Sequence, residues 1–374
     1  MRFLYDTYED IADCIKKEDK YIVVYGAGMI GSVWIPYFIQ EYQLYDNFLF
    51  YIDQDKRKQC SIINIGDMQY EVKSLEYLRK IPENAVVLVT NSNFSPIVKM
   101  LDEIEELQDV EGYIIPVLQV LHTHYNKQKV DLKINAKQLI PKKIHYCWFS
   151  RNQMPEYLQK CIESWHTFCP DYEIIRWDED NYDIEKNVYT KQAYEQGKWG
   201  FVPDIVRLDI LYRYGGIYLD TDVELTKNLD VLLQFPAFVG VEKWGNINMG
   251  GCSGAIAQHP VVKVLLDYRI NEPFILENGT LNQTTCGYYE TLPLMKLGMK
   301  PDNTIQNIEN MMIFSSDFFH PYDYMSGELN VTENTFSIHH FNGGWLDTKR
   351  IEERKQTTQQ YAQMLKRLKV EKCE

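Results

Sequence analysis

Residues 199–223 read WGFVPDIVRLDILYRYGGIYLDTDV and place a helix, an abrupt stop, a strand and two carboxylates in one short unit. Apolar side chains at Ile205, Leu208, Leu211 and Tyr212 recur at helical spacing. Pro203 suits the first turn, where its missing N–H is not needed. Asp204 and Arg207, at i and i+3, project from one face of this predicted helix, and Asp209 with Arg213 reads as an ordinary surface pair. Gly215-Gly216 supplies the left-handed residue that ends it. Beyond the stop, period-two alternation from Ile217 to Val223 predicts a strand with Ile217, Leu219 and Val223 on one face and Tyr218, Asp220 and Asp222 on the other. Two like charges about 4 Å apart repel by roughly 4 kcal/mol at an effective dielectric of 20, so a positive charge belongs between the aspartates. A hard divalent cation held by carboxylates and by phosphate oxygens of a substrate meets that need; two solvated acids at a strand end are the plainer alternative.

Asp204-x-x-Arg207 followed by Leu211, Tyr214, Gly215, Gly216, Tyr218, Asp220 and Asp222 resembles the signature of the Asp-x-Asp sugar-binding glycosyltransferases of family 32. That family includes yeast-type mannosyltransferases and bacterial capsular polysaccharide enzymes, and the segment is also similar to the catalytic domain of the glucosylating clostridial toxins. Residues 140–149, IPKKIHYCWF, resemble the family's first strand, and residues 338–345, IHHFNGGW, its C-terminal His-His-x-x-Gly-x-Trp. Three blocks in the right order over residues 140–348 are far more specific than any one alone. The resemblance implies an α/β fold of the GT-A nucleotide-diphosphosugar transferase kind and transfer of a hexose, with retention, from a UDP- or GDP-sugar to a growing glycan or lipid-linked glycan in capsular or other surface polysaccharide synthesis. It implies catalytic roles for Asp204, Arg207, Asp220 and Asp222, donor contacts from Trp148, Tyr218 and Trp345, and Mn2+ or Mg2+ held by Asp220, Asp222 and His340, with His339 a neighbour. Neutral imidazole is a good ligand for manganese-class ions. Trp148 reads equally well as a stacking platform for a nucleotide base or as a core residue. Residues 284–287, Thr-Thr-Cys-Gly, depart from the Thr-Gly-Pro of many relatives.

Composition sets the outer bounds. A chain of 374 residues with 45% hydrophobic and 25% charged side chains is long enough for two globular domains. A net charge of -14 argues against a nucleic-acid binder, and an anionic donor needs a local cation or arginine. The start, MRFLYDTYED, has no charged-then-apolar leader and no run of roughly 18 apolar residues occurs, so a cytoplasmic location is expected. Eight cysteines without a C-x-x-C spacing suggest neither a zinc ribbon nor a disulfide framework.

N-terminal to the signature, residues 21–25, YIVVY, run into Gly26-Ala27-Gly28-Met29-Ile30-Gly31, a strand followed by G-x-G-x-x-G. A second strand, residues 48–52, ends in Asp53, 22 positions after Gly31, where a ribose hydroxyl is met in dinucleotide-binding folds. With strands at 85–90 and 112–116, residues 1–120 read as a small Rossmann-like parallel sheet whose candidate nucleotide-binding residues are Gly26, Gly28, Gly31 and Asp53. Glycines that merely make a tight turn are the alternative, and Pro36 falls in the expected helix interior. Residues 121–139 are polar and lysine-rich and read as a linker, His122 and His124 included. After the carboxylates, residues 246–253, NINMGGCS, read as a glycine-rich loop, which the resemblance would set facing the acceptor, or equally as a turn. Residues 349–374 form a helix with Lys366, Arg367, Lys369 and Lys372 near its end. A solvated terminal helix is the preferred reading; docking at the inner face of the cell membrane is the other, each basic residue contributing about 1 kcal/mol near anionic lipid. Two rivals to the transferase are a nicotinamide-dependent sugar oxidoreductase and a non-catalytic scaffold in polysaccharide assembly.

Overall fold

In the computed structural model, which describes residues 1–123, 132–133, 137–242, 245–343 and 348–371, five-residue apolar runs become the interior strands of a first sheet. Most of the expected linker and Trp345 lie outside the described residues. The chain divides into two compact units, Met1–Asn126 with Glu353–Glu374, and Lys127–Glu352.

The first unit is built on β1 (Arg2–Phe3), β2 (Tyr21–Tyr25), β3 (Phe48–Ile52), β4 (Ile62–Ile65), β5 (Met68–Lys73), β6 (Ala85–Val89) and β7 (Glu111–Ile114), in spatial order β1-β7-β6-β2-β3-β5-β4. All neighbours are parallel except the β4–β5 hairpin. Every residue of β6 is buried, as expected of a central parallel strand covered on both faces. Between β2 and β6 the direction of the crossovers reverses, and the glycine loop after Tyr25 lies at that switch point. The Rossmann-like expectation therefore holds for the sheet. Pro36 proves harmless: a π-turn over Ile30–Trp34 precedes the Ile35–Glu41 helix, so Pro36 falls in a first turn rather than an interior. Tyr361 of the Thr348–Glu371 helix is buried, edge-on to Phe94 with ring centroids 5.0 Å apart, and residues from Glu353 on belong to this unit.

The second unit contains β8 (Lys143–Cys147), β9 (Glu173–Trp177), β10 (Gly216–Tyr218), β11 (Val223–Leu225), β12 (Ala237–Val241), β13 (Ile247–Ala255), β14 (Gln306–Ile308), β15 (Met311–Phe314) and β16 (Ser337–His339). Its large sheet has the order β14-β15-β12-β13-β10-β8-β9, and β11 pairs with β16 separately. β8, β9 and β10 are parallel, whereas β13 runs antiparallel to both β10 and β12. Side chains alternate across this sheet: Ile217 and Phe238 join one apolar cluster with Trp165 and Leu219, while Tyr218 and Val239 join the other with Ile205, Leu208 and Leu211. The predicted glycine-rich loop is a correction, because residues 247–255 form a fully buried central strand. Its glycines permit close approach: a Cβ on Gly250 would stand 2.0 Å from Asp220 Oδ2, and one on Gly251 1.8 Å from the His320 ring.

The Pro203–Tyr214 helix starts and stops as expected, with Gly215 at φ 64 and its N–H bonded to the Leu211 carbonyl at 3.0 Å. Its whole middle is buried, so the surface pair is also corrected: Asp209 is 6% exposed and accepts from Tyr182 Oη, Lys186 Nζ and Arg213 Nη1.

Candidate active site

The strand expected to run to Val223 breaks after Tyr218, and residues 219–222 turn before β11 begins. The Asp220 N–H bonds to the Gly250 carbonyl at 2.8 Å and the Val223 N–H to the Asp220 carbonyl at 3.1 Å, so both aspartates ride on a tight, pinned turn. β11 then pairs antiparallel with β16, with Val223 opposite His339. That register brings His339 Nε2 to 3.3 Å from Asp222 Oδ1. One ligand atom each of Asp220, Asp222 and His339 lies within 4.8 Å of the others.

His340, the histidine expected at the metal, is displaced by its neighbour. Its Nε2 stands 2.9 Å from Glu224 Oε2, because successive side chains at a strand end point to opposite sides. Phe341 follows in the left-handed region, at φ 48, and stacks on the His339 ring with centroids 3.9 Å apart. The turn also aims the Asn342 N–H at Asp222 Oδ2, 2.9 Å away. Burial opposes charge on Asp222, but His339 and the Asn342 N–H outweigh it and hold the carboxyl at about 2. Burial likewise opposes charge on His339, and Asp222 and Asp220 raise its pKa in spite of it. His339 Nδ1 is buried without a hydrogen bond. Two carboxylates and an imidazole with an unpartnered nitrogen fit a divalent ion of the manganese class, which accepts mixed oxygen and nitrogen donors.

Asp204 and Arg207 meet as the helical spacing implies, Arg207 Nη2 to Asp204 Oδ1 at 3.0 Å, but the pair is 7% and 3% exposed. Arg207 also stands 3.7 Å from Asp220 Oδ1 and over the Tyr218 ring, 5.4 Å from its centroid. Tyr218 is corrected from a donor contact to a support: its side chain is buried, and its hydroxyl donates to Asp220 Oδ1 at 3.0 Å. Trp148 is half-buried just beyond β8, with its indole N–H donating to the Asn152 carbonyl. Cys286, in the segment that departs from Thr-Gly-Pro, opens the Cys286–Lys296 helix with Sγ 3.9 Å from Arg207 Nη1. Sequence reasoning missed Glu290 and Arg269, which bring a buried carboxylate within 3.9 Å of Arg207 and a buried guanidinium within 3.6 Å of Asp204. The available signal was a lone acid within the apolar run YYETLPLM.

In the first unit the glycine loop is closed by the chain itself. Asp53 Oδ2 accepts from the Ala27 N–H at 2.8 Å and stands 3.2 Å from Lys58 Nζ, and Oδ1 accepts from the Asp55 N–H. Gly31 permits a close approach, since a Cβ there would lie 2.0 Å from the Gly26 carbonyl oxygen; Gly26, at φ 115, packs on Thr90. Only Gly28 faces open space, with Lys58 Nζ nearest at 3.8 Å. Turn geometry and an internal ion pair thus account for Gly26, Gly31 and Asp53.

Residues 155–239 match the glycosyltransferase sugar-binding region containing a DXD motif. Inositol phosphoceramide mannosyltransferase 3 of Schizosaccharomyces pombe is 36% identical over 115 residues, 29% of this chain and 32% of the relative. Mannosyl phosphorylinositol ceramide synthase SUR1 of Saccharomyces cerevisiae is 35% identical over 132 residues, 33% of each chain. The chain thus spans about a third of the length of these curated relatives. A solved structure, PaToxG Glycosyltransferase, overlays with a TM-score of 0.33 at 17% identity, over 42% of this chain and 68% of its own, a likeness too loose to bear on the fold. Residues 155–239, with Asp220-Thr221-Asp222 as the motif, are thus similar to the glycosyltransferase sugar-binding region that contains DXD.

Proposed function

We propose that this protein is a metal-dependent glycosyltransferase that moves a hexose from a UDP- or GDP-sugar to a growing glycan or a glycolipid. The observation that carries the reading is the convergence of Asp220, Asp222 and His339 within 4.8 Å, beside the fixed positive charge of Arg207. Carboxylates drawn so close to one another need a cation, and the reaction needs one too, since a diphosphate gathers charge as it departs. An ion bound by Asp220, Asp222 and His339 would supply that charge, with manganese favoured over magnesium by the imidazole. In the transfer, the bond between the anomeric carbon and the diphosphate oxygen breaks with its electron pair leaving on the diphosphate. The acceptor hydroxyl oxygen takes the carbon and passes its proton to the diphosphate or to water. The chain's own part is orientation: Tyr218 and the Gly250 carbonyl hold Asp220, while Asn342 and His339 hold Asp222. Trp148 is the candidate platform for the base. The relatives' names supply mannose as the first sugar to try and inositol phosphoceramide as a first acceptor; a capsular or other surface glycan is the alternative acceptor.

The test is a panel of nucleotide sugars, GDP-mannose among them, assayed with manganese for release of nucleoside diphosphate. Release that depends on metal and is lost in Asp222→Asn supports the reading. Well-folded protein that releases nucleoside diphosphate from no member of the panel refutes it and favours the scaffold alternative.

A further inference from the structure

Glu290 is 2% exposed and lies outside the DXD motif, on the Cys286–Lys296 helix. Its Oε2 accepts the Met249 N–H at 2.9 Å, which ties the carboxylate to the strand that carries Gly250. Its Oε1 has no hydrogen bond and stands 3.9 Å from Arg207 Nη1. On the other side of the pair, Arg269 is 2% exposed, with its guanidinium over the rings of Tyr289 and Tyr189, 3.6 and 4.3 Å from their centroids. Its Nη2 lies 3.6 Å from Asp204 Oδ2. Arg269, Asp204, Arg207 and Glu290 therefore form a buried row of alternating charge that neutralises itself, a condition for keeping so many charges out of water. Asp220 is the carboxylate left over, and Arg207 Nη2 is 3.7 Å from it.

A guanidinium attracted by three carboxylates settles where their pulls balance. Were Glu290 neutral, Arg207 would lose the pull opposing Asp220 and close the remaining gap. The loose 3.7 Å ion pair between Arg207 and Asp220 would then tighten to a direct hydrogen bond where Asp220 needs to meet a cation. We propose that Glu290 is a positioning residue that holds Arg207 off Asp220 and so keeps Asp220 available to a divalent ion. This rests on the glycosyltransferase reading only in taking Asp220 as a metal ligand. Burial pushes the Glu290 carboxyl up to about 7, against the pull of Arg207, so the measurement belongs at pH 8, where the group is charged.

The experiment is calorimetric titration of the full chain with manganese, in the presence of UDP or GDP, alongside thermal melting. Glu290→Gln preserves shape and an acceptor for the Met249 N–H; it should fold and bind manganese about tenfold more weakly. Arg207→Met removes the competitor, so manganese should bind at least as well as in the parent, and adding Glu290→Gln to that background should change nothing further. A merely structural glutamate would weaken binding equally in both backgrounds. Folded Glu290→Gln that binds manganese as the parent does overturns the proposal, and so does an additive double variant. A parent that binds no manganese overturns the metal site and the proposed function with it. Should Glu290→Gln not fold, Arg207→Met decides the matter: manganese binding weaker than the parent's refutes the competition.

Discussion

Replacing Gly250 by alanine tests whether β13 is the floor of the carboxylate turn. The added Cβ would lie 2.0 Å from Asp220 Oδ2, 2.7 Å from Arg207 Nη1 and 2.8 Å from Asp220 Cγ. To restore ordinary contact the Asp220 carboxylate must retreat by more than an ångström. It cannot do so without losing the 3.0 Å bond from Tyr218, and metal sites tolerate ligand displacements of only about 0.2 Å. Overpacking of this kind typically costs about 1–3 kcal/mol, or roughly 2–4 °C of melting temperature per kcal/mol for a unit of this size. Function should suffer far more: a misplacement of about 1 Å is worth on the order of a hundredfold in turnover. Gly254→Ala is the matched control on the same strand, because its Cβ would meet the Phe238 ring at 2.4 Å, in the apolar core. It should lower the melting temperature comparably and leave manganese affinity alone. The assay is manganese titration, donor hydrolysis and thermal melting of both variants. If Gly250→Ala folds and keeps parental manganese affinity and turnover, the floor is not where the structure puts it.

Three further outcomes follow from the same geometry. His339→Ala should abolish tight manganese binding while His340→Ala changes it less than about threefold, as befits a histidine paired with half-exposed Glu224; the reverse ranking would restore the sequence-based choice. Trp148→Ala should weaken donor binding by about 1–3 kcal/mol with little change in turnover, as loss of base stacking would, and unaltered affinity would return Trp148 to a purely structural role. Burial pushes His145 down from 6.5 to about 4, so the folded protein holds it neutral, with Nε2 on the Gly215 carbonyl and Nδ1 accepting from Trp177. The unfolded chain takes up that proton near pH 6.5, so this stability is complete above 6.5 and declines as pH falls toward 4, by up to roughly 3 kcal/mol at about 1.4 per unit. Denaturant melts at pH 7.5, 5.5 and 4.5 should show that slope reduced in His145→Gln, and an identical slope would place the acid sensitivity elsewhere.

Features that depend on a few consecutive residues were legible in the sequence. Pro203 and Gly215-Gly216 bound the helix as written, Asp204 and Arg207 meet because a helix sets i and i+3 side by side, and strand followed by G-x-G-x-x-G folds as the turn it describes. Backbone preference and a fixed period decide such features before any long-range contact forms. What only the tertiary structure decided is what depends on register between distant strands and on burial. His339 rather than His340 reaches Asp222 because Asp222 lies on the turn before β11, outside the strand alternation that sets His340 beside Glu224. NINMGGCS reads as a loop until β10 and β12 flank it, whereupon its glycines become the space in which Asp220 and His320 fit. Glu290 shows in the sequence only as a lone acid within an apolar run, and Arg269 carries no local signal. Their meaning arises when three helices bring them to the ends of the Asp204–Arg207 pair, where burial makes a charge depend on its neighbours.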